Sequence, residues 1–236
     1  MINSLRNRRI MVVVAHPDDE LLGLGATMHR LIKEFSVEAH VVILGEGITS
    51  RSENRDVNAW EQELTTHRKN IKDAHDKIGF QSSSIYNFPD NRFDSIDLLD
   101  IIKVVEKEKK IFQPDVIFTH HGGDVNIDHQ RTFEAIITSC RPMQDEKVKT
   151  IFTFETPSGT EWRSPSDPRH FLPNFFVAVK EQDIDAKISG MECYVYERRS
   201  FPHPRSPEAL KIQAQRWGIV VGAYYAEAFC LIRSIN

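Results

Sequence analysis

The chain is expected to fold as α/β, with a Rossmann-like, mostly parallel sheet flanked by helices. Three observations predict this. Short apolar runs rich in β-branched or aromatic residues recur at 10–15, 37–44, 84–88, 116–120 and 150–154. Longer amphipathic segments separate them, and this alternation is the pattern of parallel strands joined by crossover helices. At 236 residues with 40% hydrophobic content, there is enough apolar material for a substantial core. No linker-like composition, internal repeat or low-complexity tract interrupts the chain, so residues 1–236 are read as one domain.

The first run, 10–15, follows Arg6, Arg8 and Arg9 and so looks superficially like a signal peptide. It stops after six residues at His16-Pro17-Asp18-Asp19, too early for a hydrophobic export segment, and reads instead as a buried strand. Helices are expected over 20–35, 57–78, 95–112 and 130–140, between the strands. In the third of these, Leu98, Ile101, Ile102 and Val105 keep the 3.6-residue spacing of a core-facing stripe, and 107–110 is a solvated helix end. Beyond residue 150 the order loosens, with Pro157, Pro165, Pro168 and Pro173 marking a long irregular stretch. An apolar segment at 175–179 and a helix near 184–196 follow. A last helix starts near Ser206, where Ser206-Pro207-Glu208 places a cap and then a proline in the first turn. Tyr224, Tyr225 and Phe229 are left to pack in the core or in an interface.

The net charge of −4 argues against nucleic-acid or anionic-membrane binding driven by overall charge. Cys140, Cys193 and Cys230 are odd in number and form no CxxC pair, which points away from a disulfide framework or a thiolate zinc site and towards a reducing cytoplasm. No stretch approaches the ~20 apolar residues of a membrane span.

Ligands of open α/β sheets sit beyond the carboxyl ends of the strands, and the segment Ala15-His16-Pro17-Asp18-Asp19-Glu20 falls there. Three consecutive acids beside an imidazole repel one another, and a cation makes sense of them. The plainer alternative is that Asp18 or Asp19 caps the first helix. A second cluster, 120–129, follows the fourth strand and reaches the same edge. His16, Asp19 and His129 together supply a zinc ligand set with one position left for water, while Asp18 remains to act as a general base. Two histidines and one carboxylate also make the triad of non-haem iron enzymes, although that use leaves Asp18 without a task.

Through Ala15-His16-Pro17-Asp18-Asp19-Glu20 and the pair Asp128-His129, the sequence resembles the PIG-L/LmbE-like family of zinc-dependent N-deacetylases. Thr119-His120 and Tyr225-Ala226-Glu227-Ala228-Phe229 extend the resemblance over nearly the whole chain. It implies Zn2+ held at His16, Asp19 and His129, Asp18 as base, and removal of an N-acetyl group from an amino sugar or glycoconjugate. It also implies self-association, which is common in the family. Members often carry a histidine three residues before the last ligand, where this chain has Asn126. The oxyanion partner is therefore open between the amide of Asn126 and an inward swing of His121. A loop role for Asn126, bonded to its own backbone, is the bland alternative. The same departure motivates a rival reading as a non-catalytic sugar-binding relative. Asp128 either fixes the tautomer of a ligand histidine or caps the following helix.

Substrate contacts are expected from loops at the same edge. Arg51, Arg55 and Arg68 follow the second strand, and Asp90-Asn91-Arg92 follows the third. Guanidinium groups suit phosphates, and Asp and Asn suit sugar hydroxyls. Arg68 and Asp90 resemble the family's substrate-facing positions. The segment 155–162 brings Glu155 and Trp162 on a flexible loop able to close over a sugar ring, and His203 and Arg205 stand in a proline-rich loop. Solvated surface charges and an ordinary turn are the competing readings. His29, His40, His67, His75 and His170 carry no partner motif and are read as structural.

Overall fold

A computed structural model describes residues 2–235. The five apolar runs become β1 (Arg9–Val14), β2 (Glu38–Gly45), β3 (Ser82–Phe88), β4 (Val116–His120) and β5 (Thr150–Phe154). Between them lie α1 (Asp19–Phe35), α2 (Glu61–Ile78), α3 (Leu98–Phe112) and α4 (Ile127–Ser139). These strands pair in parallel in the order β3-β2-β1-β4-β5. The order therefore reverses between β1 and β4, and both charged motifs leave the carboxyl ends of those two strands. A crevice opens at such a switch point.

Strand alternation divides the core. Ile10, Val12 and Val14 pack on one face with α1, while Met11, Val13 and Ala15 pack on the other with Ile101, Val105 and Ile136 of α3 and α4. Apolar residues at every position of β1 from Ile10 to Val14 thus follow from helices on both faces. β3 is the edge of the sheet and alternates between exposed and half-buried positions.

The chain continues through β6 (Phe175–Val179), α5 (Glu181–Met191), α6 (Pro207–Val221) and β7 (Tyr225–Ser234). Ser206 caps α6 by accepting from the Ala209 amide, as its position predicts. The strand β7 was not foreseen. It runs antiparallel between β5 and β6, so Ala226 to Cys230 are buried in succession without an alternating pattern. Phe229 enters the main core, whereas Ala226 and Ala228 lie under Trp217 of α6.

A charged residue inside β7 has a tertiary cause. The backbone of α1 leaves helical geometry at Leu24 (φ −152°), which frees helix hydrogen-bonding groups in the interior. Lys187 Nζ donates to the Leu22 carbonyl (2.8 Å), and Glu227 accepts from the Thr27 amide (2.7 Å). Lys187 and Glu227 also pair with each other at 2.7 Å. This buried pair ties the first turns of α1, which carry the first motif, to α5 and β7. Losing one partner of such a pair costs about 3–5 kcal/mol. Among the described residues, no helix is long and apolar enough to cross a membrane.

Candidate metal centre

The turn after β1 is held from several sides. Asp18 takes a positive φ of 108°, and its carbonyl accepts from the amides of Leu21 and Leu22. Neither acid caps α1 through its side chain. Asp19 Oδ2 instead accepts from the His16 amide (2.9 Å). The fully buried Glu20 accepts from the Asp18 amide (3.1 Å), from Tyr194 Oη (2.5 Å) and from His75 Nε2 (3.2 Å). The third acid of the motif is thus an anchor fastening the turn to α2 and to the segment after α5. Burial, with Glu20 next, pushes the Tyr194 phenol well above its ordinary pKa.

The second motif meets this turn. Asn126 caps α4 through its side chain, placing His129 in the first turn of that helix. His129 Nε2 lies 3.3 Å from Asp19 Oδ2, and His16 Nδ1 lies 3.4 Å from the same oxygen. One atom each from His16, Asp19 and His129 converge within 4.8 Å of one another.

Both imidazoles are aimed from behind. Asp128 Oδ2 receives His16 Nε2 at 2.8 Å, and Asp128 is itself fixed by the amides of Asn91 (2.7 Å) and Phe93 (2.8 Å). Asp124 Oδ2 lies 3.1 Å from His129 Nδ1 and accepts from Thr160 Oγ1 at 2.7 Å. Carboxylates behind ligand imidazoles fix their orientation and raise their basicity. Of this pair, Asp124 went unnoticed in the sequence because its partnership with His129 depends on the fold of the loop.

The remaining lone pairs fit a cation. Asp19 Oδ1 and both ring nitrogens of His129 are buried without a hydrogen-bond partner among the described residues, a state that native interiors largely avoid. Asp124 stands at ion-pair distance from His129 Nδ1. Two imidazoles and a carboxylate are the donor chemistry of a catalytic zinc site. Burial opposes charge on all three, yet His129 holds Asp19 well below the usual carboxylate range. Likewise Asp19 and Asp124 lift His129 to about 9. Protons drawn onto imidazoles by surrounding acids are what a bound dication displaces.

His120 has a different task. Its Nε2 accepts from the Ala15 amide at 2.9 Å, so its proton sits on Nδ1 and faces Thr156 Oγ1 at 3.1 Å. Burial, then His129, lowers it to about 4, and the neutral ring stacks on His129 with centroids 3.8 Å apart.

A cavity of about 320 Å³ opens over this cluster. His16, Asp18, Asp90, Asn126, Trp162 and His203 all line it. Asp90 is oriented by Ser50, whose amide and hydroxyl donate to it at 3.0 and 2.7 Å. Trp162 is 60% exposed, which leaves a ring face available at the mouth. Arg205 Nη1 donates to Asp18 Oδ2 at 2.8 Å. Burial raises Asp18 well above the usual carboxylate range against the pull of Arg205.

Five residues expected at this crevice, His121, Arg92, Arg68, Arg55 and Glu155, lie elsewhere. His121 turns its Nε2 to the Arg169 carbonyl (2.8 Å) and its ring against Phe171. Arg92 reaches the Glu53 carbonyl at 3.4 Å. Arg68 borders a neighbouring groove with Glu46 and Arg55, and His67, one residue earlier, lines the cavity instead. Helix phase was the signal for this, because His67 shares the buried face of α2 with Ile71, Ala74 and Ile78.

Glu155 accepts from Trp217 Nε1 beneath α6 rather than facing the cavity. Burial lifts its carboxyl to about 7 despite that bond and the nearby Lys187. A pKa raised on folding means that its contribution is fully present below about pH 4.5 and is lost as pH rises through about 7. Glu155→Gln is therefore expected to gain stability relative to the parent between pH 5 and pH 8, by on the order of 1–3 kcal/mol. Urea unfolding at the two pH values measures this, and parallel curves for both proteins would contradict it.

Residues 11–140, a span containing both motifs, match the family described as PIG-L: GlcNAc-PI de-N-acetylase. The chain is 27% identical over 198 residues to the uncharacterized deacetylase YaiS of Escherichia coli K12, covering 81% of this chain and 94% of that one. The N,N'-diacetylchitobiose deacetylase of Pyrococcus horikoshii superposes with a TM-score of 0.72 at 18% identity, over 96% of this chain and 84% of that one. The 4-carboxy-2-hydroxymuconate hydratase GalB of Pseudomonas putida KT2440 superposes with a TM-score of 0.70 at 19% identity, over 97% and 98%. The fold alone therefore does not choose the reaction, which has to be argued from the site. With the family match extending over more than half of the chain and enclosing His16, Asp19 and His129, the protein belongs to the PIG-L family of de-N-acetylases.

Proposed function

We propose that the protein is a zinc-dependent N-deacetylase that hydrolyses the acetamide of an amino sugar or glycoconjugate. The observation that carries this reading is that Asp18 lines the same cavity as His16, while ligand atoms of His16, Asp19 and His129 converge within 4.8 Å of one another. His16, Asp19 and His129 would hold the metal. Bound there, zinc lowers the pKa of a coordinated water and polarises the acyl carbonyl.

The chain's own groups account for the rest. Asp18 takes the proton from the attacking water and returns it to the departing nitrogen, so that acetate and a free amine leave. Asp128 and Asp124 keep the two imidazoles in position. Trp162 offers a flat apolar face to a sugar ring, while Asp90, braced by Ser50, is placed to accept from a hydroxyl.

Zinc-loaded protein incubated with N-acetylglucosaminides, nucleotide sugars and lipid-linked sugars should release acetate and primary amine in equal amounts from at least one of them. No acetate from the panel, together with stoichiometric iron and oxygen consumption in protein purified without added metal, would overturn the reading in favour of the iron alternative.

A further inference from the structure

We propose that Arg205 supplies the electrophile of this site, its guanidinium both aligning Asp18 and donating to the carbonyl oxygen as that atom becomes an oxyanion. This rests on the deacetylase reading above. Several other candidates are occupied. The amide of Asn126 is spent at both ends, Oδ1 accepting from the Asp128 amide (2.8 Å) and Nδ2 donating to Asn91 Oδ1 (2.9 Å). His121 is bound to the Arg169 carbonyl, and His120 has both ring nitrogens engaged at Ala15 and Thr156. Arg51 pairs with Glu197, and Arg199 Nη1 is bonded to the carbonyls of Tyr196 and Arg198. His67 lines the cavity, but no hydrogen bond joins it to Asp18.

Arg205 is built differently. Its backbone amide donates to His203 Nδ1 (3.1 Å), immediately before the Ser206 cap of α6, so its starting point is fixed. Its Nε donates to Ser158 Oγ at 2.7 Å and its Nη1 to Asp18 Oδ2 at 2.8 Å, which sets the plane of the guanidinium from two loops. Nη2 has no partner among the described residues, while the side chain lines the cavity and is only 21% exposed. A shielded, oriented cation with a spare donor is what stabilises developing negative charge. In the reaction, the water oxygen bonds to the acyl carbon as its proton passes to Asp18. The carbonyl pair moves onto the oxygen facing Nη2, and on collapse the C–N bond breaks and the proton goes to nitrogen.

The test compares zinc-loaded wild type with Arg205→Met and Arg205→Lys, measuring zinc content, melting temperature and affinity for methylphosphonate, a stable tetrahedral anion shaped like hydrated acetate. Wild type should bind it, Arg205→Met should bind it about 10- to 100-fold more weakly, and Arg205→Lys should fall between them. Acetate release by Arg205→Met should drop about 10²- to 10³-fold in kcat with KM nearly unchanged. Equal methylphosphonate affinity in wild type and Arg205→Met, or no binding by wild type, overturns the proposal. So does a loss that merely tracks zinc release or unfolding in both variants. Failure of the deacetylase reading would appear separately, as a wild type that releases no acetate, and the methylphosphonate comparison would still decide the role of Arg205.

Discussion

Asp18→Asn is expected to lower acetate release by about 10²- to 10⁴-fold while leaving one zinc per chain, since general acid–base groups contribute on that scale. The substitution keeps shape and one acceptor for Arg205 but removes the only group in the turn free to carry a proton. Asp19 faces the imidazoles, and Glu20 is enclosed by Tyr194 and His75. Asparagine also tolerates the positive φ of 108° better than most residues, so the turn should survive. Acetate assays paired with metal analysis check this. A variant retaining more than a tenth of the activity would remove Asp18 as the base.

The second large effect is expected at a residue that need not touch substrate. Asp128 receives His16 and two backbone amides, from Asn91 and Phe93, and is fully buried. Asp128→Ala should weaken zinc binding about 10- to 100-fold, because His16 loses the contact that turns its Nδ1 towards Asp19. It should also destabilise the metal-free protein by on the order of 3 kcal/mol, since two buried amide donors lose their acceptor. Asp128→Asn, which keeps an acceptor, should show a smaller loss in both. Chelator competition and urea unfolding separate the two effects. Zinc affinity within twofold of wild type in Asp128→Ala would mean that His16 is oriented by something else.

Much of this architecture is legible in the sequence for a simple reason. β1, β2, β4 and β5 lie between helices on both faces, so their residues must be apolar nearly throughout, and runs of that kind stand out. Both ligand motifs follow strands that meet at the reversal of sheet order, so their proximity follows from strand position alone. The strand β7 hides because its interior glutamate serves a break in α1 some 200 residues away in sequence, a need that no local pattern announces. The site follows the same division. His16, Asp19 and His129 are recognisable as a candidate ligand set, and their atoms converge, while Asp128 meets His16. In contrast, the reversal of His121 towards Arg169 and of Glu155 towards Trp217 depends on where distant loops settle. Arg68 and His67 differ by one position on α2, and only the phase of the helix, about 100° per residue, tells them apart.

The claim that matters most is that His16, Asp19 and His129 form one zinc site. Anomalous diffraction at the zinc edge, from crystals grown with one equivalent of zinc, tests it directly. The expected result is a single peak about 2.0–2.1 Å from His16 Nδ1 and His129 Nε2 and at bonding distance from Asp19. A peak instead among His16, Asp90 and Asp128, whose ligand atoms also converge within 4.8 Å, or no zinc peak at either cluster, would contradict it.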